Sequence, residues 1–341
     1  MRLAVVGGGV FGLTIGLEAL WRGAEVTLYD PKGPDNASAI AAGMLAPAFE
    51  AALDPVSISH FPLLRRSRDL WPALLAKLGQ EAALDRSGAL FVVDENKLDH
   101  AERAATGLMA AGAAMEWLSP TQARRRAPSL GVSPAAAIFS EEDWRLQPRD
   151  LLAAMRGALL AGGGRWRRER VGAEPEADAV VIAAGADAGA MAGWAPELRH
   201  LSPIKGQILH LAAPPTSGPS LRSPEGYIAP QSTGVVVGAT MEAGRHDRRT
   251  SPAALQRLRR GAGQWIPALL DAPGKGWAGV RAATPDGLPL AGASVKQGVF
   301  LAVGARRNGW LLAPLVAEVL VSRLIDGRDM ACAFDPRRFE P

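Results

Sequence analysis

Residues 2–30, "RLAVVGGGVFGLTIGLEALWRGAEVTLYD", decide the fold, because they spell a strand, a glycine turn, a helix and a second strand that ends in an acid. Arg2 to Val6 is a short aliphatic run. Gly7, Gly9 and Gly12 follow it in the spacing G-x-G-x-x-G, where the chain must turn sharply into a helix that takes in Val10. The three glycines serve different ends. Gly7 permits the tight turn, Gly9 lets bare backbone approach a pyrophosphate, and Gly12 lets the helix lie close on the strand. The helix N-terminus then faces the anion with unpaired N–H groups. Asp30 lies 18 residues beyond Gly12, where a carboxylate accepts hydrogen bonds from the ribose hydroxyls of an adenosine and repels a 2′-phosphate. The stretch predicts a parallel α/β domain for FAD or NAD rather than NADP, and by itself leaves those two open.

The rest of the chain sets the limits. Its 341 residues imply about two domains, and an apolar fraction of 48% supports a well-buried interior. The one cysteine, Cys332, excludes a disulfide framework and a thiolate metal cluster. Histidines at 60, 100, 200, 210 and 246 form no H-x-x-x-H pair, so no metal is expected. No nucleophile elbow stands out either. No run reaches the roughly 20 apolar residues of a membrane span, and the chain enters a strand at once rather than a signal peptide. A soluble, cytoplasmic protein without membrane insertion is expected. The net charge is +4, and the short basic strings "RWRRER" (165–170) and "RHDRR" (245–249) are interrupted by acids. They read as solvated surface, so no nucleic-acid partner is expected.

Organisation along the chain is mosaic. "SAIAAGMLAPAFE" (38–50) reads as a loop of small residues, and helical text follows from about 55 to 78. The pattern predicts a strand at 84–93, helices at 97–111 and 149–160, a short helix ended by Pro128, and a buried strand running into a glycine turn at 177–189. Residues 204–211, 226–230 and 234–240 alternate as antiparallel strands do, which places a second sheet there. The chain closes with the strand "GVFLAV" (298–303), the turn "GARRNG" (304–309) and a long apolar helix, repeating the arrangement at its start. Two helix ends of positive potential suit a ligand with two anionic places. A flavin supplies both, through its pyrophosphate and its reduced ring; a nicotinamide has no such second demand.

Six more strings stand in one order: "SAIAAGMLAP" (38–47), "PIKGQ" (203–207), "GYIAP" (226–230), "VVVGATME" (235–242), "WAGVRAATPDGLPLAG" (277–292) and "RRNGWLLAP" (306–314). Through them nearly the whole chain resembles the glycine oxidases, FAD-dependent amine oxidases of the D-amino acid oxidase and sarcosine oxidase superfamily. The resemblance implies an α/β fold with an FAD-binding Rossmann-like domain of the glutathione-reductase type, assembled from 1–83, 131–203 and 278–341. A second, α+β substrate domain on an antiparallel sheet would come from 84–130 and 204–277. FAD would be non-covalent, since Cys332 lies outside the "GARRNG" region where related enzymes place an attaching cysteine. Ser38, Ala42, Gly43, Met44, Gly185, Gly304, Arg306, Asn308 and Gly309 would join Gly7, Gly9, Val10, Gly12 and Asp30 around it. Arg281 matches the family's carboxylate-binding arginine, a planar guanidinium able to grip a carboxylate through two parallel hydrogen bonds. Tyr227 matches a tyrosine that assists it, Arg307 a second active-site arginine, and Met241 a methionine beside the flavin.

The implied reaction is oxidative deamination of glycine, sarcosine or a small D-amino acid to the imine, with O2 reduced to H2O2. In bacteria the glycine imine feeds thiamine thiazole synthesis. The family often forms tetramers, which makes a homo-oligomer compatible with the resemblance. Two other readings stay open: a dehydrogenase that passes electrons to another acceptor, and a flavin-binding protein without catalysis. The chain departs from the family in two places. Ala305 stands where glycine oxidases carry a histidine, and a trimmed stretch at 165–180, retaining one short strand, replaces a longer β-meander.

Overall fold

The computed structural model describes residues 1–31, 36–213, 218–330 and 333–339, and Cys332 lies outside the described residues. A six-stranded sheet runs in the order Leu290–Ala293, Val299–Val303, Ala179–Ile182, Arg2–Val6, Glu25–Tyr29, Arg165–Arg167. Its neighbours are parallel except for the antiparallel edge pair Leu290–Ala293 and Val299–Val303. Arg2–Val6 and Ala179–Ile182 are aliphatic because both faces of these inner strands are buried. The Val10–Trp21 helix packs against Pro148–Ala161 and Gly309–Asp326, and Leu13, Ile15, Leu17, Leu159, Val316 and Leu320 belong to one shared core. The helix comes this close at Gly12, where a Cβ would stand 1.9 Å from the carbonyl oxygen of Gly7.

Among the described residues the second sheet has nine strands, with the short Glu242–Ala243 at one end and Ser202–Leu211 beside it. Gly274–Ala283 pairs along the whole of that strand, in a register that sets Ile204 opposite Arg281 and Gly206 opposite Gly279. On the other side follow Gly234–Gly238, Gly226–Gln231, Ser220–Ser223, Ala89–Val93, Ala136–Ser140 and Glu116–Leu118. Ala136–Ser140 pairs with Ala89–Val93, so the boundary placed at 131 cuts this sheet, and the one at 278 cuts the Gly274–Ala283 strand. Both strands find partners distant in sequence, which local periodicity does not report. The retained strand Arg165–Arg167 lies parallel to Glu25–Tyr29.

The expected loop at 38–50 is a correction. It holds a short helix Ala37–Ile40, a strand Met44–Leu45 and a helix Pro47–Leu53. Proline at the first turn suits the last of these, and its leading N–H groups are satisfied from elsewhere in the chain. Asp143 Oδ1 accepts from Ala48 N at 2.8 Å and Oδ2 from Phe49 N at 3.3 Å, a cap supplied by a residue 95 positions away from Ala48. Helical text at 55–78 resolves into Phe61–Asp69 and Trp71–Leu78. Among the described residues, no helix is long and apolar enough to cross a membrane.

Candidate active site

A cavity of about 330 Å³ opens where the inner parallel strands end, beside the start of the Val10–Trp21 helix. Gly7, Gly9, Val10, Asp30, Ser38, Gly185, Gly304 and Gly309 line it, as does Ala305. Gly7 has φ +120°, and a Cβ there would stand 2.3 Å from the Ala183 carbonyl oxygen. At Gly9 the nearest atom to a Cβ would be Ser38 Oγ at 3.1 Å, and that hydroxyl accepts the Val10 N–H at 3.1 Å. Gly12 sits behind the wall, in the contact between helix and strand. Gly8, which the spacing leaves free, is equally constrained: its Cβ would fall 2.5 Å from Asp30 Oδ2 and 2.6 Å from Trp166 Cη2. Side chains at Gly7, Gly8 and Gly12 would collide with the atoms that form the cradle's walls and would push them out of place. Bare backbone for a pyrophosphate, with a carboxylate at the end of the neighbouring strand for a ribose, fits FAD.

A second cavity, of about 410 Å³, adjoins the first, with Ala37 in the walls of both. Ala42, Gly43, Met44, Tyr227, Met241, Arg281, Arg307 and Asn308 line it, so the three residues matched to the family's substrate contacts and active site, Tyr227, Arg281 and Arg307, come together with Met241, matched to the methionine beside the flavin. Arg306 lines neither cavity. Its backbone takes φ +50°, its N–H donates to Ala282 O at 2.8 Å, and its guanidinium pairs with the buried Asp54. Gly43, at φ +74°, has a packing duty as well, since its Cβ would stand 2.3 Å from Leu146 O.

Arg281 and Tyr227 owe their places to two strand glycines. A Cβ on Gly206 would fall 2.2 Å from Arg281 Nη1, and a Cβ on Gly238 would fall 2.4 Å from the Tyr227 hydroxyl. Both glycines stand in the strings "PIKGQ" and "VVVGATME", where nothing local reveals their role. Arg281 Nη1 makes only long contacts, to Thr240 O at 3.5 Å and Met241 Sδ at 3.6 Å. Among the described residues no carboxylate reaches it at ion-pair distance. Burial pulls the Arg281 guanidinium below its ordinary value. Burial also raises the Tyr227 phenol, and the Arg281 charge opposes it only in part. The phenol therefore stays protonated and able to donate.

Glu50 and Arg222 carry no signal in the sequence, yet both line this cavity. Glu50 Oε1 accepts from Arg222 Nη1 at 3.2 Å, Arg222 Nη2 at 3.3 Å and Arg307 Nη2 at 3.1 Å. Burial alone would raise the Glu50 carboxyl; the guanidinium of Arg307 and then that of Arg222 outweigh it and hold the group below the usual carboxylate range. Among the described residues no group of histidine, cysteine, aspartate and glutamate side chains is arranged to hold a metal ion.

A dinucleotide cradle joined to a polar cavity, with a guanidinium that has no carboxylate partner among the described residues, suits an oxidoreductase whose cofactor and substrate meet where the two cavities adjoin. Comparison with known proteins agrees: the DAO family of FAD dependent oxidoreductases matches residues 2–323, and the chain belongs to it. It is 31% identical over 363 residues to the glycine oxidase of Geobacillus kaustophilus, covering 98% of this chain and 95% of that one. A Rhizobium etli protein with the name "Putative thiamine biosynthesis oxidoreductase ThiO" is 32% identical over 344 residues, covering 95% of this chain and 97% of that one. The crystal structure of glycine oxidase from Geobacillus kaustophilus superposes with a TM-score of 0.81 at 29% identity, covering 100% of both chains.

Proposed function

We propose that the protein oxidises glycine or a similarly small amino acid, such as sarcosine or a small D-amino acid, to the imine, and that O2 is the electron acceptor, giving H2O2. The glycine oxidase relative supports the substrate, and the likeness to the Rhizobium etli ThiO protein supports a role in supplying thiamine synthesis. The observation that carries this reading is Arg281, a guanidinium without a carboxylate partner, set beside the Tyr227 hydroxyl at the end of the cavity system that begins at the glycine cradle.

FAD, held by the Gly7–Gly9 cradle, Asp30, Ser38 and the Gly304–Gly309 turn, would supply a two-electron acceptor that takes the α-hydrogen as hydride. The chain's own residues fix the geometry. Arg281 binds the substrate carboxylate through its fork of N–H groups, and Tyr227 donates to the same group. Held at one end, a small amino acid has little freedom, so the direction of its Cα–H bond is set. Ile40, Ile208 and Trp310 supply apolar wall that limits water. Arg281, which has no carboxylate partner among the described residues, disfavours an ammonium beside it and so favours entry of the neutral amine.

Anaerobic mixing of the FAD-loaded protein with glycine, sarcosine, D-alanine and D-proline is the test. Bleaching of the flavin absorbance is expected with at least one of them, and peroxide should form in step with imine in air. A flavin reduced by none of the four would overturn the reading. Reduction without peroxide would reassign the acceptor.

A further inference from the structure

The three guanidiniums of the substrate cavity are not equivalent. Arg281 has no carboxylate at ion-pair distance among the described residues, whereas Arg222 and Arg307 converge on one atom, Glu50 Oε1, at 3.1 to 3.3 Å. Glu50 is 5% exposed, and its other oxygen, Oε2, is buried without a hydrogen-bond partner. Such a carboxylate is held where it is by the two cations rather than by solvent. Its position is fixed from the far side too, because Asp143 caps the helix that carries it. Arg307 is further tied by Asp54 Oδ2 at 3.8 Å, and Arg222 Nη2 lies 3.7 Å from Met44 Sδ.

We propose that Glu50 determines specificity: by engaging Arg222 and Arg307 it leaves Arg281 as the guanidinium that takes a substrate carboxylate, and it restricts the site to amino acids with a single carboxylate. A second carboxylate on the substrate would find Arg222 and Arg307 already engaged and would meet the like charge of Glu50 in a poorly solvated wall. The inference rests on the amino acid oxidase reading above. To that reading it adds Glu50 as the residue that keeps a second carboxylate out.

The test uses two ligands that cannot be oxidised, acetate and malonate, titrated into the FAD-loaded protein and read by perturbation of the flavin absorption band. Wild-type protein should bind acetate at least ten-fold more tightly than malonate. In Glu50→Gln the ratio should move at least ten-fold toward malonate, because donors on Arg222 and Arg307 are released. Proportional weakening of both ligands in the variant would show Glu50 to be merely structural and overturn the inference. Should Glu50→Gln fail to fold or to hold flavin, the wild-type ratio decides alone, and malonate binding as tightly as acetate overturns the inference. Bleaching of the wild-type flavin by small amino acids is measured in parallel. If none bleaches it, the functional reading falls and the inference with it; bleaching together with an unselective site overturns the inference alone.

Discussion

Arg281 Nη1 and the α-carbon of Gly206 are so placed that a single methyl group on the glycine would stand 2.2 Å from the nitrogen. The guanidinium uses the space that the missing side chain leaves on the neighbouring strand, where Gly206 pairs with Gly279 and Ile204 with Arg281 itself. Gly206→Ala should therefore displace the guanidinium without touching the nucleotide cavity. The expected result is a KM for carboxylate substrates raised about ten-fold or more, roughly 1.4 kcal/mol, with the bound-flavin spectrum unchanged. Steady-state kinetics read beside visible absorption checks it; an unaltered KM would mean that the clamp lies elsewhere.

Removing the clamp itself should cost more. Arg281→Ala is expected to weaken carboxylate substrates and acetate by about 2 kcal/mol or more, the scale of a hydrogen bond to a charged group in a shielded site. Arg281→Lys keeps a charge but loses the planar fork, so it should recover only part of that binding. Acetate titrations of the two variants give the comparison directly, and equal affinity in wild type and Arg281→Ala would remove Arg281 from the site.

On the cofactor side the sharpest tests are glycines whose missing atoms the structure accounts for. Gly12→Val would force the helix away from the first strand, because even a Cβ there falls 1.9 Å from Gly7 O. Gly8→Val would push against the Asp30 carboxylate and Trp166. Both variants should purify with little or no flavin, and flavin fluorescence released on denaturation measures the occupancy. Full occupancy in Gly8→Val would show that Asp30 can move without loss of the adenosine contact.

How much of the site is legible in the sequence follows from the range of the interactions involved. Gly7, Gly9, Gly12 and Asp30 act within one strand–helix–strand unit, so their spacing alone announces the cradle. Arg281, Tyr227, Met241 and Arg307 are reached through resemblance, and the structure gathers them in one cavity. Arg306 shares a string with Arg307, but its side chain turns to Asp54, a choice made by a left-handed turn that the letters do not show. Glu50 is invisible for a different reason. The helix that presents it is capped by Asp143, so the string that carries it reads as a loop until the distant acid is in place. Gly206 and Gly238 stand in plain view, yet their purpose depends on side chains from other strands.

Asp143 offers a pH test of that same cap. Burial pushes its carboxyl up to about 7, with the Arg222 guanidinium and the two backbone N–H bonds opposing only in part. The folded protein therefore holds a proton on Asp143 that the unfolded chain, with an aspartate near 3.9, has already released. Between about pH 4 and pH 7 the folded state binds more protons than the unfolded one, so this group's contribution to stability falls as pH rises and levels off above about 7. Asp143→Asn does not titrate, and its side-chain oxygen can still accept one of the two N–H groups. Its stability relative to wild type should improve as pH rises from 4 to 7, by at most about 4 kcal/mol at 1.36 kcal/mol per pH unit. Urea unfolding of both proteins at a series of pH values gives that difference. A difference that stays flat over the range would place an anionic Asp143 in the folded protein, and one that moves against the variant would reverse the assigned direction of the shift.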